Sequence, residues 1–285
     1  FTVPLVLGNL FQLTYNAVDS IIVGHFVGKE ALAAVGICNP VSTLMILFLN
    51  GLCMGASILM GIQYGAKDYE TLHRQISTTL LSGAFFSFFL TLVCVIFAVP
   101  ILLLLQVDPS IMSMTVQYLR IIFLGLMFTF LYNFFSSTLR ALGDSNSPLY
   151  FLIISALLNI VLDLVLIIVF QMGAPGAAIA TVVAQGISGV LCLIYIMWKI
   201  PLLHLKKEDW HVGGQIYAIQ LKIGLPMALQ YSITAIGTMM VQSALNILGS
   251  TLVAAFTAAS KIEQVVTQAY VAMGTTMATY GAQNL

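Results

Sequence analysis

The sequence predicts an all-α membrane protein, a polytopic transmembrane helical bundle. Two observations predict this class. The composition is 60% hydrophobic and only 7% charged, whereas about a quarter of the residues in an ordinary soluble domain are charged. The apolar residues also fall into long runs that are joined by short segments rich in turn-forming residues. Because a soluble chain of this composition would expose aggregating apolar patches, the sequence favours a bundle embedded in a membrane.

Eight of the apolar runs are long enough to cross a bilayer as helices, since roughly 20 apolar residues span its hydrocarbon core. The longest connection, after the sixth span, covers residues 199–215. Connections of this length leave no room for a soluble domain. The predicted spans are approximately residues 2–24, 38–64, 77–105, 114–139, 148–171, 177–198, 217–248 and 252–280.

Basic residues are concentrated on one predicted side of the membrane. The connections after the odd-numbered spans contain only Lys29. Loops rich in Lys and Arg stay in the cytoplasm, so we expect the N-terminus and the 2–3, 4–5 and 6–7 loops to be cytoplasmic. The basic residues at the ends of the even-numbered spans and in the loops after them are Lys67, Arg74, Arg140, Lys199, Lys206, Lys207 and Lys222. We interpret Arg140, Gly143 and Asp144 as one cytoplasmic turn that leads to Pro148.

The first and seventh predicted spans are similar in sequence. Residues 3–36 align without a gap with residues 225–258, and Pro4 then matches Pro226. Six spans, an even number, separate the two copies, so both point the same way across the membrane. Parallel repeats of this kind, related by an axis along the membrane normal, are a device of transporters.

The repeat predicts two lobes. We expect residues 1–205 to form a six-helix N-lobe and residues 206–221 to form a cytoplasmic linker. Residues 222–285 then hold the first two helices of a pseudo-symmetric second lobe. If the repeating unit has six helices, about four more spans would complete that lobe.

A carboxylate lies in the middle of the fifth predicted span. Asp163 is surrounded by the apolar run "SALLNIVLDLVLIIV", and Asn159 lies one turn before it on the same helix face. A charged side chain at a helix centre costs about 2.5–3.5 kcal/mol on insertion scales. We therefore expect Asp163 to face the interior of the bundle or a water-filled cavity. A purely structural hydrogen bond to a neighbouring helix is the alternative for both Asp163 and Asp19.

Two other spans also carry a polar stripe at helical spacing. If the three polar faces meet, the unit encloses a pocket for an ion. Hard cations take oxygen ligands, so the pocket could bind Na⁺. Two close carboxylates do not both ionise cheaply, so the pocket could equally bind H⁺. The stripes are Gln12, Tyr15, Asn16 and Asp19 in the first span, and Thr181, Gln185 and Ser188 in the sixth.

Four segments in this order resemble those of the multidrug and toxic compound extrusion (MATE) transporters, in the branch with an acidic residue in the first helix. The resemblance covers the whole chain. The segments are "LTYNAVDSIIVGHFVGKEALAAVG" (13–36), "RALGDSNSPLY" (140–150), "LLNIVLDLVLI" (157–167) and "GAPGAAIATVVAQ" (173–185).

The resemblance implies two six-helix lobes around a central cleft, and export of organic cations in exchange for Na⁺ or H⁺ without a cofactor. It also implies that Asp19, Asn159, Asp163 and Thr181 form the N-lobe cation site, with Asn133 as a further asparagine in the same pocket. Thr181 has a second interpretation, because small hydroxyl residues often serve helix packing in membranes. A bacterial inner membrane, a monomer in contact with membrane lipid and small organic cations as ligands are expected.

The sequence also bears on other functions, namely a flippase, an enzyme, a nucleic-acid-binding protein and a metal-binding protein. A flippase for lipid-linked saccharide precursors needs a basic cleft, and the main basic candidates within the spans are Arg120 and Lys261. Lys261 and Glu263, two residues apart, do not share a helix face, and their roles stay open. The sequence contains neither H-E-x-x-H nor a Walker A motif, so an enzyme is not expected. The zero net charge gives no sign of nucleic-acid binding, and the scattered cysteines give none of a metal site.

Overall fold

The computed structural model describes residues 1–284 apart from 106, 207–208, 211–212 and 248–249. At residues 239, 242–247, 250–258 and 261 it describes the backbone alone. Within these residues the fold is helical. The helices are α1 (Thr2–Phe26), α2 (Lys29–Gly65), α3 (Tyr69–Leu104), α4 (Pro109–Leu124), α5 (Leu126–Ala141), α6 (Asn146–Leu164), α7 (Ala174–Lys199), α8 (Gly214–Ile247) and α9 (Ser250–Asn284).

The predicted fourth span consists of two helices, because α4 and α5 adjoin at Gly125. The predicted fifth span also has an irregular end, since a π-helical segment, Val165–Val169, continues α6. A short 3-10 turn, Pro201–Leu203, follows α7. Helix α8 begins at Gly214, so the predicted linker 206–221 contains the first two turns of this helix.

Five of these helical units are long and apolar enough to cross a membrane by length and composition, within the part of the chain that the structure describes. They are α2, α3, α4 with α5, α6 with its π-helical segment, and α7. The all-α class and the helical bundle predicted from the sequence are confirmed. Helices α1, α8 and α9, which correspond to the first, seventh and eighth predicted spans, are outside this set. The stripe of polar side chains in α1 lowers its hydropathy.

Residues in the connections determine where several helices begin. Asp68 accepts a hydrogen bond from the Thr71 backbone N–H at 3.1 Å and so caps α3. Asp108 caps α4 in the same way through Ser110. Asp144 accepts from the backbone N–H groups at the start of α6. The predicted turn between α5 and α6 is therefore present, and Gly143 adopts there a φ of +92°, which favours glycine.

The first seven helices share one apolar core. Its largest buried side chains include Phe123 of α4, Phe134 and Leu139 of α5, and Leu49 and Met60 of α2. Helix α2 lies centrally, because it packs against α3, α4 and α5 on one side and against α8 and α9 on the other. Helices α6 and α7 pack on each other and on α1 and α5, and this arrangement brings the three predicted polar stripes to one side of the core.

Helices α8 and α9 pack on the first two helices in a reciprocal way. Helix α2 contacts α8, and α1 contacts α9. Exchange of the two predicted repeats maps one of these contacts onto the other, as expected for parallel repeats around an axis between them. The α2–α8 contact is very close: a Cβ atom on Gly51 would lie 2.4 Å from the Cα of Ala228, and one on Gly55 would lie 2.5 Å from the Cα of Gly224.

The segment between α7 and α8 is fastened to the start of α3. Ser77 donates a hydrogen bond to the backbone carbonyl of Asp209. The Asp209 carboxylate lies 3.7 Å from Nδ1 of His73. Gln75 donates to the side chain of Gln220 at 3.0 Å. These contacts hold the beginning of α8 against the end of α3 that is predicted to be cytoplasmic.

Candidate functional site

A cavity of about 530 Å³ lies between α1, α2, α4–α5, α6 and α7, and α8 and α9 border it on one side. Most of the predicted site residues line it. Gln12, Tyr15, Asn16 and Asp19 come from α1, Asn133 from α5, and Thr181 and Gln185 from α7. The structure thus brings the polar stripes of the first and sixth predicted spans to one surface.

The two acidic residues lie together at one side of this cavity. The side chains of Asp19, from α1, and Asp163, from α6, lie close enough to interact electrostatically. Asp163 is fully buried, with no exposed surface, whereas Asp19 is half-buried and lines the cavity. The predicted orientation of Asp163 toward the interior of the bundle is therefore what the structure shows.

Asn159 and Thr181 join α6 to α7 beside this carboxyl pair. The Asn159 side-chain amide donates a hydrogen bond to Oγ1 of Thr181 at 3.4 Å. Both residues border a small polar pocket next to the main cavity, together with Tyr15 and Gln185. The Tyr15 hydroxyl lies close to the side chains of Gln12 and Gln185, so it links α1 to α7.

Oxygen atoms in this region lack hydrogen-bond partners within the described residues. They are Oδ1 of Asp19, both carboxylate oxygens of Asp163, Oδ1 of Asn159 and Oε1 of Gln185. A buried polar atom without a partner costs roughly 1–3 kcal/mol, so several of them around one point call for a compensating ligand. These are carboxylate and amide oxygens, the donor type that hard cations prefer. The donor set therefore suits a monovalent cation or a proton shared by the two carboxyl groups.

The π-helical segment begins two residues after Asp163. Single turns of π-helix interrupt α-helices rarely and are frequent at functional sites. Here the wider turn disturbs the regular backbone ladder directly beyond the buried carboxylate. No sequence pattern predicts this segment, because the apolar run 164–169 is compatible with an ordinary α-helix.

Two of the sequence interpretations are corrected by the structure. Ser188 does not join the site: it is buried and donates to the Phe151 carbonyl at 3.1 Å, so it fastens α7 to α6. Arg140 does not lie in a cytoplasmic loop. It belongs to the last turn of α5 and lines the cavity. The signal that marks it is its spacing from Asn133 and Ser137, which puts the three residues on one helix face.

Sequence reasoning also missed cavity residues on α2 and α4. Ser42 and Asn50 of α2 and Tyr118 of α4 line the cavity. Tyr118 lies near both carboxylates. These residues are isolated polar positions in apolar helices, and only the packing of α2 and α4 against α1 shows that they face the same space. Asn133 lines the cavity, but its amide group donates to the Thr129 carbonyl of its own helix at 2.8 Å.

The family model MatE matches residues 4–165, which include α1 to α6 and the residues Asp19, Asn159 and Asp163. The chain belongs to the MatE family. It is a multi-pass membrane protein with the helical architecture expected from the sequence. A curated relative, the probable multidrug resistance protein YpnP of Bacillus subtilis, is 32% identical over 294 residues. That match covers 100% of this chain and 64% of the relative.

Two solved transporters have the same fold. A MOP superfamily transporter from Pyrococcus furiosus, for which a reverse polarity of the binding pocket suggests a different function, superposes with a TM-score of 0.91 at 25% identity. An outward-facing multidrug resistance MATE transporter superposes with a TM-score of 0.85 at 26% identity. Each match covers 99% of this chain and 64% of the solved chain. The chain therefore spans a little under two thirds of the length of the relatives it matches.

Proposed function

We propose that this protein is a secondary active transporter that exports organic cations in exchange for Na⁺ or H⁺, by alternating access across a bacterial cytoplasmic membrane. Membership of the MatE family supports transport, and YpnP is named as a multidrug resistance protein. The proposed coupling site is Asp19, Asn159, Asp163 and Thr181, with Gln12, Tyr15, Asn16, Asn133 and Gln185 as the surrounding lining. No cofactor besides the coupling ion takes part.

One observation carries the proposal: a carboxyl pair with unpartnered oxygens lies beside a cavity large enough for a small organic molecule. Oδ1 of Asp19 and both carboxylate oxygens of Asp163 have no hydrogen-bond partners within the described residues. Ligand pockets for drug-sized molecules have volumes of roughly 300–1,000 Å³, and the cavity of about 530 Å³ lies in this range. An intramembrane carboxylate without a partner is expensive to insert and is typical of ion pathways.

The contacts described between the first seven helices and α8–α9 support an outward-open state. Thr2 and Thr276 share a hydrogen bond of 2.8 Å between their hydroxyl groups. Gln283 donates to the Ala141 carbonyl at 2.6 Å. The start of α1, the end of α5 and the end of α9 lie on the side that the basic residues predict to be cytoplasmic. We name these two hydrogen bonds, with the α2–α8 glycine contacts, the inner closure.

The proposed mechanism is a linkage between two ligands and two conformations. In the outward-open form, Na⁺ or H⁺ binds to the Asp19–Asp163 pair from outside and removes negative charge that holds a cationic substrate. The substrate then leaves, the inner closure opens, and the coupling ion is released to the cytoplasm. Only the difference in affinity between the two conformations drives these shifts.

A flippase for lipid-linked saccharide precursors receives less support. A pyrophosphate headgroup needs a strongly basic cleft, and Arg140 is the one Lys or Arg among the described residues that line the cavity. Arg120 is exposed on α4 and does not line it. The Lys261 side chain is outside the described residues, and Glu263 is exposed.

The test is uptake of a fluorescent organic cation into sealed vesicles that contain the full-length protein. Uptake is measured under an imposed Na⁺ gradient and then under a pH gradient. We expect one of the two gradients to drive uptake in the wild type, and Asp163→Asn to abolish the response to that gradient. The responding gradient identifies the coupling ion.

The matched control is Asp108→Asn, which changes the same chemical group at the exposed start of α4. Asn also caps helices well, so this variant should transport like the wild type. If Asp163→Asn is folded and transports like the wild type under both gradients, Asp163 has a structural role and the coupling site is elsewhere.

A further inference from the structure

Among the described residues, Arg140 is the one Lys or Arg that lines the cavity, and it forms no ion pair with an acidic residue. The two ion pairs within the described residues are His73–Asp209 and Arg74–Glu70, so neither includes it. Its one described hydrogen bond is to Oγ of Ser137 at 3.3 Å. A guanidinium group has five N–H donors in a fixed fork, so most of its donor capacity is unused.

The groups around Arg140 do not neutralise it. The titratable side chains that act on it electrostatically are Cys53 of α2, Tyr132 of α5, Cys192 of α7 and Tyr231 of α8. Thiols and phenols of these types are neutral near pH 7 in the absence of a special cause. The surroundings are therefore suited to a ligand with negative charge.

The acid that follows in sequence is already committed elsewhere. The Asp144 carboxylate accepts from the backbone N–H groups of Asn146 and Ser147. It also accepts from the Ser147 hydroxyl at 2.6 Å and from the Tyr195 hydroxyl at 3.3 Å. Asp144 thus caps the start of α6 and is not the counter-ion of Arg140.

Arg140 and the carboxyl pair lie at different depths in the cavity. The turn after α5 lies level with the first residue of the chain, since Ser145 donates to the Phe1 carbonyl at 3.1 Å. Asp19 follows Phe1 by 18 residues along α1. At a rise of 1.5 Å per residue, Asp19 and Arg140 are separated by on the order of 20 Å. They form two subsites and not one ion pair.

We propose that Arg140 forms an anion subsite at the inner end of the cavity and binds the carboxylate group of an organic solute. The planar guanidinium fork matches a carboxylate with two parallel hydrogen bonds. A solute bound at this subsite then carries a carboxylate group in addition to any positive charge. This assignment of substrate class rests on the proposed transport function, whereas the binding of a carboxylate at Arg140 is tested without transport.

The test compares rhodamine B, which carries a free carboxylate, with its ethyl ester, which keeps the dye and its positive charge but not the carboxylate. Fluorescence polarisation gives the Kd of each dye for the purified full-length protein. We expect Arg140→Gln to raise the Kd of rhodamine B by about tenfold or more, the loss typical of a charge-assisted hydrogen bond. The Kd of the ester should change by less than about twofold, and Arg140→Lys should give an intermediate value for the acid.

Arg120→Gln is the matched control, because Arg120 is exposed on α4 and does not line the cavity. It should leave both Kd values unchanged. The wild type supplies a measurement that does not depend on the fold of a variant: benzoate should displace rhodamine B at lower concentration than it displaces the ester. An equal effect of Arg140→Gln on acid and ester, no effect on either, or equal displacement of the two dyes by benzoate overturns the proposal.

The two proposals fail separately. If neither gradient drives uptake in vesicles but the carboxylate dye still depends on Arg140, ion-coupled export is rejected and the anion subsite stands. If uptake is coupled to an ion but the acid and the ester bind alike in every variant, the transporter stands and the anion subsite is rejected.

Discussion

Asp19 of α1 and Asp163 of α6 lie close enough for their carboxyl groups to interact electrostatically, although 144 residues separate them along the chain. Asp19 is half-buried and lines the cavity, whereas Asp163 has no exposed surface. Two carboxylates at this distance in a low dielectric repel each other when both are ionised. The pair therefore behaves as one unit toward a proton or a cation.

The first prediction concerns the stability of this pair. At alkaline pH, where ionisation is favoured, Asp163→Asn and Asp19→Asn should each raise the unfolding temperature, because each removes a repelling charge. The double variant should be less stable than the sum of the two effects implies, with a coupling energy of about 0.5–3 kcal/mol. Thermal unfolding of the wild type, the two single variants and the double variant in detergent gives this coupling energy. Strictly additive effects would show that the two carboxyl groups do not interact.

The second prediction concerns the inner closure at Thr2 and Thr276. Their hydroxyl oxygens lie 2.8 Å apart, so the pair Thr2→Cys and Thr276→Cys should form a disulfide under mild oxidation. The cross-link should stop uptake in vesicles, and a reductant should restore it, because alternating access requires this contact to open. Each single cysteine variant is the control. The native cysteines add little background, since all four are buried: Cys38, Cys53, Cys94 and Cys192. Normal uptake by fully cross-linked protein would contradict the prediction.

The third prediction concerns the close crossing of α2 and α8. A Cβ atom on Gly55 would lie 2.5 Å from the Cα of Gly224, a backbone atom that does not move aside cheaply. Gly55→Ala should therefore destabilise the protein by about 1–3 kcal/mol, as overpacking does. It should also lower the yield of the Thr2–Thr276 cross-link.

Gly36 provides the matched control for that substitution on the same helix. A Cβ atom there meets nothing within 4 Å, so Gly36→Ala should be neutral or stabilise the helix by up to about 1 kcal/mol. Both free energies are obtained from thermal unfolding of the purified variants. A stability change for Gly55→Ala that equals that of Gly36→Ala would show that α2 and α8 have room to separate.

The fourth prediction concerns the exposed cap of α3. The hydrogen bonds that Thr71 donates hold the pKa of the Asp68 carboxyl below its usual value. A lowered pKa in the folded state means that the carboxylate stabilises the protein above the pKa of the unfolded chain, and that this contribution is lost as pH falls through the folded value. Asp68→Ala should cost about 1 kcal/mol near neutral pH and less in acid.

Asp68→Asn separates the cap from its charge. Asn keeps a side-chain oxygen for the Thr71 N–H and does not titrate, so this variant should be nearly as stable as the wild type at neutral pH. Urea unfolding at neutral and acidic pH measures the three proteins. A cost for Asp68→Ala that does not change with pH would mean that the ionised form of the cap has no special role.

Much of the fold follows from the chain's hydropathy alone. Within the described residues, each of the eight predicted spans overlaps a helix or two adjoining helices, because an apolar run of this length has no other way to satisfy its backbone hydrogen bonds in a bilayer. The irregular features were not predicted. The break at Gly125 and the π-helical segment after Asp163 depend on how neighbouring helices fill space, and local propensity carries little information about that.

The candidate site was predicted in parts. Helical periodicity identified the faces of α1, α6 and α7 that carry Asp19, Asn159 and Thr181. It also misplaced Ser188, because the spacing within a helix fixes a face but does not say what that face meets. Arg140 was assigned to the turn because of Gly143 and Asp144, whereas α5 extends to Ala141. The roles of the predicted ligands in cation binding stay predictions that the vesicle experiment tests.

The sequence by itself determined the class of the protein, the approximate bounds of its spans and the need for each buried carboxylate to face something polar. Those properties depend on short-range chemistry, namely apolar length and the cost of charge in hydrocarbon. Only the tertiary structure decided that Asp19 lies beside Asp163 and that Arg140 lies at the opposite end of the cavity. Such positions depend on which helices pack together and at what depth. Helix packing depends on interactions among all the helices of the bundle and not on the local sequence of one of them.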